Sequence, residues 1–240
     1  MQLIISNSKE SLAAEFAHQF QELTESKDKI HVALSGGSTP KVVFDYLAKH
    51  LALEIDWSKV RFYWGDERCV PPSDPESNYK MTVDHLISKI EIPATNIFRV
   101  LGENNPSEEA IRYGKVLDQE LPKENEIPQF DLVMLGMGDD GHTASIFPDS
   151  IQLWDSVHNC VVATHPDSGQ KRVTITGKII NNAKRVALLV TGASKAEKLR
   201  EIVKQEGDFR TYPASLVNPA TADLIWYVDQ EAAKEVISKP

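Results

Sequence analysis

Short apolar runs alternate with helical patterns along the sequence, and this alternation restricts the fold more than any other feature. Residues 186–190 form an apolar run of strand length, whereas residues 10–23 place Leu12, Phe16 and Phe20 at helical spacing. Strands that alternate with helices predict a Rossmann-like, doubly wound α/β fold. In that fold a mostly parallel sheet carries helices on both faces and its crossovers are right-handed. We expect a single domain that spans residues 1–240.

The same patterns predict the individual elements. The predicted strands cover residues 3–5, 30–34, 60–64, 132–135, 161–163, 173–175, 186–190 and 224–228. The predicted helices cover residues 10–23, 42–51, 78–87, 107–121 and 194–203, and a terminal helix follows the last strand. Polar, glycine-containing turns follow several of these strands, which is the edge of an α/β sheet where ligands usually bind.

Composition excludes several classes of function. Thirty-five acidic residues exceed twenty-six basic ones and give a net charge of −9, which argues against binding to nucleic acid or to an anionic membrane. Two distant cysteines match no metal spacing and no disulfide framework. Because no signal peptide or membrane-length apolar run is evident, we expect a cytoplasmic protein. The sequence leaves open whether it is a monomer or a homo-oligomer.

The segment GMGDDGHTAS, residues 136–145, reads as a catalytic loop. It follows a buried strand, and its three glycines allow a tight turn that presents two acids and one histidine. His142 can exchange a proton near neutral pH, and Asp140 stands close enough in sequence to orient it. A histidine held only by local hydrogen bonds is the structural alternative. A metal site formed by Asp139, Asp140 and His142 is a weaker alternative, because no further ligand spacing supports it.

The segment SGGSTP, residues 35–40, lies between a strand and a helix and suits a phosphate group. Its glycines let backbone amides approach an anion, its hydroxyls can donate, and the helix N-terminus adds unpaired N–H groups. The candidate residues are Ser35, Gly36, Gly37, Ser38 and Thr39. The alternative is a capped turn in which Ser38 or Thr39 is the N-cap and Pro40 is the first helical residue.

Further charged candidates stand at other strand ends. Arg68 and Asp66 follow the strand that ends at residue 64, and a guanidinium is suited to bidentate phosphate binding. Asp66 could act as a base or orient a neighbour. Arg172 and Lys195 could complete the phosphate site. For each of these residues, an ordinary surface charge is the alternative.

Taken in order, these segments resemble the 6-phosphogluconolactonase family. The matching segments are ALSGGSTP at 33–40, WGDER at 64–68, SNY at 77–79, GMGDDGHTASIFP at 136–148, RVT at 172–174, TGASK at 191–195 and YPAS at 212–215. The related glucosamine-6-phosphate deaminases share SGGSTP, but they have an acidic residue where this chain has Phe147. They also typically have Glu-Tyr where this chain has Glu67 and Arg68. Both differences favour the lactonase.

The resemblance implies hydrolysis of 6-phospho-D-glucono-1,5-lactone to 6-phosphogluconate in the oxidative pentose phosphate pathway, without a required cofactor or metal. In that interpretation His142 activates water and Asp140 orients His142 or stabilises its cation, while amides of the glycine loop are candidates to stabilise the oxyanion, whose donors the sequence leaves open. The residues 35–39, Arg68, Arg172 and Lys195 would hold the phosphate. A deaminase-like isomerase and a sugar-phosphate-binding module without catalysis are the two alternatives.

Overall fold

A computed structural model describes residues 1–237 of the chain. The strands are β1 (Gln2–Ser6), β2 (Ile30–Leu34), β3 (Val60–Trp64), β4 (Asp66–Arg68), β5 (Ile97–Phe98), β6 (Lys123–Glu124), β7 (Ile127–Pro128), β8 (Leu132–Gly136), β9 (Cys160–Thr164), β10 (Lys171–Ile175), β11 (Arg185–Val190) and β12 (Leu224–Asp229). The helices are α1 (Lys9–Glu25), α2 (Ser38–His50), α3 (Asn78–His85), α4 (Pro106–Glu120), α5 (Gly177–Asn181), α6 (Ala196–Lys204) and α7 (Gln230–Ile237).

Seven parallel strands form the central sheet in the order β1-β12-β11-β8-β2-β3-β5. From β2 the chain moves towards β3, whereas from β8 it moves the opposite way, towards β11. Right-handed crossovers in opposite directions place α1 and α2 on one face and α5 and α6 on the other. This confirms the doubly wound α/β prediction. The reversal between β2 and β8 creates a crevice at the carboxyl ends of these two neighbouring strands.

A second, antiparallel sheet has the order β4-β10-β9 and lies beside the end of β3. The amide of Ile175 donates to the carbonyl of Gly65 at 2.8 Å, and the amide of Gly65 donates to the carbonyl of Leu34 at the same distance. These bonds fix the small sheet to the carboxyl edge of the large one. The sequence predicted β9 and β10 as strands, but β4 has only three residues and was not predicted.

One helix begins earlier than the sequence predicted. The expected start was residue 42, with Ser38 or Thr39 as the possible N-cap, but α2 begins at Ser38. The N-cap is Gly37, which has φ +108° and supplies no side-chain hydrogen bond to the helix. A left-handed φ of this kind favours glycine because it has no Cβ atom. Pro40 therefore lies within the first turn and is not the first helical residue.

The other predicted helices agree with the structure to within two residues at most ends. No helix within residues 1–237 is long and apolar enough to cross a membrane. The core is built mainly by the central strands, since every residue of β2 and β12 is buried. Two-sided burial is expected for a parallel sheet that is covered by helices on both faces.

A buried histidine lies at the amino end of the central sheet. His31 is 5% exposed, and its Nδ1 atom lies 3.2 Å from the hydroxyl of Tyr63. Burial lowers the pKa of His31 to about 4, and the negative charge of Asp131 opposes only part of this effect. The Asp131 carboxylate accepts from the His31 amide and from Lys27 and Lys184.

This burial predicts acid sensitivity below neutral pH. An ordinary histidine takes up a proton near pH 6.5, whereas folded His31 resists protonation until about pH 4. Between those values the unfolded chain binds more protons, so the free energy of unfolding should fall by an amount on the order of 3 kcal/mol as the pH drops. Urea unfolding of His31→Gln should have a flatter pH profile than the wild type. His18→Gln, on the exposed side of α1, should keep the wild-type profile, and an unchanged profile for His31→Gln would contradict the argument.

Candidate active site

A cleft of about 240 Å³ opens at the carboxyl edge of the central sheet, where β2 and β8 meet. Ten of the eleven candidate residues from the sequence line it: Ser35, Gly36, Gly37, Ser38, Thr39, Asp66, Arg68, His142, Arg172 and Lys195. The eleventh, Asp140, lies directly behind His142. Other lining residues include Asn78, Met137, Ala144, Leu189 and Thr191, which the sequence did not single out for a role.

His142 is held by its neighbour in the glycine loop. Its Nδ1 atom lies 2.7 Å from Oδ1 of Asp140, and its backbone amide donates to the same oxygen at 3.0 Å. When Nδ1 carries the proton and donates to this carboxylate, Nε2 is the ring nitrogen that can accept a proton. Burial alone would raise the pKa of Asp140, but its hydrogen bonds with His142 outweigh burial and lower it. The carboxylate therefore stays ionised at neutral pH.

The close contact between these two side chains depends on Gly138. A Cβ atom at position 138 would lie 2.1 Å from Nδ1 of His142 and 2.6 Å from Oδ1 of Asp140. No side chain fits there without breaking the pair. The amides of Gly138 and Gly141 donate to carbonyls within the loop, so neither is free to stabilise an oxyanion. The amides of Gly138 and Gly141 are therefore excluded as oxyanion donors, although the sequence had made the amides of this loop candidates.

The loop is supported from behind by residues 212–214. Gly141 has φ +85°, and a Cβ atom there would lie 2.6 Å from Cβ of Tyr212. The carbonyl of Gly141 accepts from the amide of Ala214 at 3.0 Å. The Tyr212 hydroxyl donates to Glu201 and accepts from Lys198, which fixes its ring beside the loop. Tyr212 belongs to the quoted YPAS segment, whose structural role the sequence did not reveal.

Two arginines form a positively charged end of the cleft. Arg68 on β4 and Arg172 on β10 are direct partners across the antiparallel pair, and Nε of each is buried without a hydrogen bond. Burial, together with the nearby Arg68 charge, lowers the pKa of Arg172. Like charges placed opposite each other destabilise a sheet, so this pair is an arrangement that an anion would stabilise.

The α2 N-terminus borders the same cleft. Because Gly37 supplies no side-chain cap, the amides of Ser38 and Thr39 keep their capacity to donate at the positive end of the helix dipole. Gly36 permits a second close approach, since a Cβ atom there would lie 1.9 Å from Oδ1 of Asn78. Asn78 donates in turn to the carbonyl of Asp66 at 2.9 Å.

Asp66 and Asp139 have different partners in the structure. The Asp66 carboxylate accepts from Oγ of Ser145 at 2.6 Å, and the same hydroxyl lies 3.5 Å from Nη1 of Arg172. Asp139 forms an ion pair with Lys195 and accepts from Ser194 at 2.8 Å. Within residues 1–237 no group of three or more His, Cys, Asp or Glu residues is arranged to hold a metal ion.

Glu67 is a buried residue of the site to which the sequence gave no role. It is 2% exposed, and its carboxylate accepts from the amides of Arg68, Asn78 and Tyr79 at 2.7 Å each, and from Oγ of Ser77. Glu67 therefore joins β4 to the N-terminus of α3. Burial raises its pKa, whereas these amide hydrogen bonds oppose the rise.

Comparison with known proteins agrees with this geometry. The family model described as glucosamine-6-phosphate isomerases/6-phosphogluconolactonase matches residues 6–226. The chain belongs to this family. It is 45% identical over 192 residues to a 6-phosphogluconolactonase of Treponema pallidum, with 80% of each chain covered. It is 44% identical over 219 residues to that of Haemophilus influenzae, which covers 91% of this chain and 92% of the relative. A solved 6-phosphogluconolactonase from Trypanosoma brucei matches with a TM-score of 0.87 and 30% identity, covering 98% of both chains.

Phe147 occupies the position at which the resemblance to the deaminases would require an acidic residue. Phe147 is 1% exposed, and its ring centroid lies 4.6 Å from that of His142. The guanidinium carbon of Arg172 lies 5.6 Å from the same ring. An apolar ring therefore fills the space between the His142 side of the cleft and its arginine side. No carboxylate could act from this position.

The contacts of Glu67 generate a stability prediction. Glu67→Gln replaces one oxygen with an NH₂ group, which cannot accept from the buried donors that face it. We expect the free energy of unfolding in urea to fall by about 2 kcal/mol. Glu76→Gln is the matched control because its carboxylate is exposed and, among the described residues, accepts from the Gln170 side chain alone. Equal stability of both variants would show that the Glu67 carboxylate does not fix α3.

Proposed function

We propose that this protein hydrolyses 6-phospho-D-glucono-1,5-lactone to 6-phospho-D-gluconate in the oxidative pentose phosphate pathway. The observation that carries the proposal is the 2.7 Å contact between His142 and Asp140 in a cleft that also contains two adjacent arginines. A sugar-phosphate lactone needs both features, since its phosphate requires cationic partners and its ester carbonyl requires an activated water. Family membership and the names of the relatives support the same reaction. We expect it to take place in the cytoplasm.

The phosphate binds at the arginine end of the cleft. Arg68 and Arg172 offer guanidinium groups, and residues 35–39 add hydroxyls and the free amides at the start of α2. Lys195, after β11, adds a further positive charge to the cleft. Its ammonium group, which forms an ion pair with Asp139, would then interact with the phosphate as well. Holding the remote phosphate positions the lactone carbonyl beside His142, which accelerates the reaction through orientation.

His142 acts as general base and then as general acid. Its Nε2 atom removes a proton from water as the water oxygen bonds to C1 of the lactone. The tetrahedral oxyanion then collapses, the C1–O5 bond breaks, and the imidazolium returns the proton to O5. The products are the 5-hydroxyl and the C1 carboxylic acid, which loses its proton to solvent. Asp140 stabilises the imidazolium, and its lowered pKa keeps it charged throughout.

Asp66 serves the substrate end of the cleft. Its carboxylate is fixed by Ser145 at 2.6 Å, and Ser145 also contacts Arg172 at 3.5 Å. A fixed carboxylate on the cleft wall can accept from a sugar hydroxyl and at the same time orient the arginine. This role differs from the general base that the sequence left open for Asp66.

Substitution of His142 tests the chemistry. Because a positioned base typically contributes 10²- to 10⁴-fold, His142→Asn should lower kcat by roughly 10²-fold or more with little change in KM. Turnover is measured with lactone generated in situ and a coupled 6-phosphogluconate dehydrogenase, and the spontaneous rate is subtracted. His158→Asn, an exposed histidine outside the cleft, is the control and should keep full activity. Wild-type kcat in the His142 variant would exclude it as the base.

Substitution of Arg172 tests the phosphate site. Arg172→Gln should raise KM for the phosphorylated lactone by roughly 10- to 100-fold, since a charge-assisted hydrogen bond contributes about 1.5–3 kcal/mol. Hydrolysis of unphosphorylated glucono-1,5-lactone should be unchanged. Arg61→Gln, at an exposed ion pair with Glu120, should change neither substrate. An equal loss of activity towards both lactones would contradict this role, because it would show that Arg172 supports folding or the reaction itself and not phosphate binding.

The same assay separates the alternative functions. A wild-type rate equal to the spontaneous rate, with tight binding of 6-phosphogluconate, would indicate a binding module. Release of ammonia from glucosamine 6-phosphate would indicate a deaminase. Phe147 beside His142 argues against the deaminase, because that position supplies no acid.

A further inference from the structure

A second groove lies between α4 and β9, away from the cleft. It encloses about 740 Å³ and is lined by residues 157–162 and by one face of α4. The helix residues that line it are Ser107, Ala110, Ile111, Gly114, Lys115 and Asp118. Val157 is 80% exposed and Ile111 is 62% exposed, so both edges of the groove present apolar side chains to solvent. We propose that a second copy of this chain docks here, with β9 of each copy pairing across a two-fold axis.

The backbone of β9 offers the hydrogen bonds for this pairing. Within residues 1–237, β9 pairs with β10 alone and is an edge strand of the small sheet. The amide of Thr176 donates to the carbonyl of Asn159 at 3.2 Å, and the amide of His165 donates to the carbonyl of Gln170 at 2.9 Å. The odd-numbered residues of this segment therefore point their backbone N–H and C=O groups towards β10. The alternate residues point their N–H and C=O groups away from β10. These residues are Cys160, Val162 and Thr164. At Cys160 the helix α4 is close, since a Cβ atom at Gly114 would lie 3.7 Å from the backbone N of Cys160, so Val162 and Thr164 form the open part of the edge.

Beyond Cys160, this edge lacks the features that usually prevent pairing. Edge strands in soluble proteins are commonly protected by charged side chains, proline or a bulge. The sequence of β9 is CVVAT, which contains no charge and no proline, and its register with β10 is regular. Because an antiparallel strand pair is symmetric, β9 is complementary to a second copy of itself. Two small sheets would then become one six-stranded sheet.

The charges on α4 favour the same partner. The groove face of α4 lies beside β9, so a two-fold axis at β9 places this face next to the other copy of the chain. Lys115 is exposed and makes no ion pair within residues 1–237, while Oδ1 of Asp118 holds Lys123 at 2.9 Å and leaves the second oxygen available. The two-fold operation exchanges the two copies, so Lys115 of one copy can face Asp118 of the other, and the reverse pair forms at the same time. A local match of this kind offsets the repulsion between two chains of charge −9.

The test is the mass of the full chain in sedimentation velocity over a wide range of concentration. We expect a concentration-dependent species of about twice 26.8 kDa. Ile111→Asp should shift the protein to monomer, because it places a carboxylate in the interface at a site exposed in the monomer. Leu53→Asp is the matched control, since Leu53 is 94% exposed elsewhere and its substitution should leave the dimer intact.

Charge reversal makes the test specific to this surface. Lys115→Glu should weaken the dimer, and addition of Asp118→Lys should restore it, because the two signs are then exchanged on both copies. Hydrogen exchange at the Val162 amide should slow as the dimer forms. A wild-type monomer at every concentration would overturn the proposal. A dimer that survives Ile111→Asp with unprotected Val162 would overturn it as well, since the interface would then lie on another face.

Discussion

The parallel pairing of β2 with β8 decides where the functional side chains of this protein can lie. Val32 pairs with Leu132 and Ala33 with Val133, so the two strands end side by side. Because the chain leaves them in opposite directions, no crossover helix covers the space between their carboxyl ends. The turns after β3 and β11 stand on either side. A cleft lined from four strand ends follows from this strand order.

The glycine loop shows how local backbone geometry fixes the proposed base. His142 and Asp140 are only two residues apart, so their contact requires a sharply folded backbone, and Gly138 and Gly141 supply it. Ala144 continues the strained path with φ +49° and also lines the cleft. Such conformations are tolerated where surrounding contacts hold them, as Tyr212 holds Gly141. The loop is therefore specified by its supports as well as by its own sequence.

The sequence predicted the fold class, the main strands and the residues that meet in the cleft, because these depend on periodicity and on strand ends. It did not predict the β4 strand, the Gly37 cap or the contacts of Glu67. Three residues are too few to carry a periodic pattern, and an acid between Asp66 and Arg68 reads as a surface charge. Its burial follows from the approach of α3, which is distant in sequence. The partners of Asp66 and Asp139 likewise depended on tertiary contacts.

The two ends of the cleft belong to separate pieces of the molecule. His142 and Asp140 stand on one loop of the large sheet, whereas Arg68 and Arg172 stand on the small sheet. Phe147 and Ser145 connect the two parts, because Phe147 contacts both His142 and Arg172, and Ser145 contacts both Asp66 and Arg172. A substitution in the small sheet that moves Arg172 would therefore be felt by the Phe147 ring, and through it by the imidazole of His142.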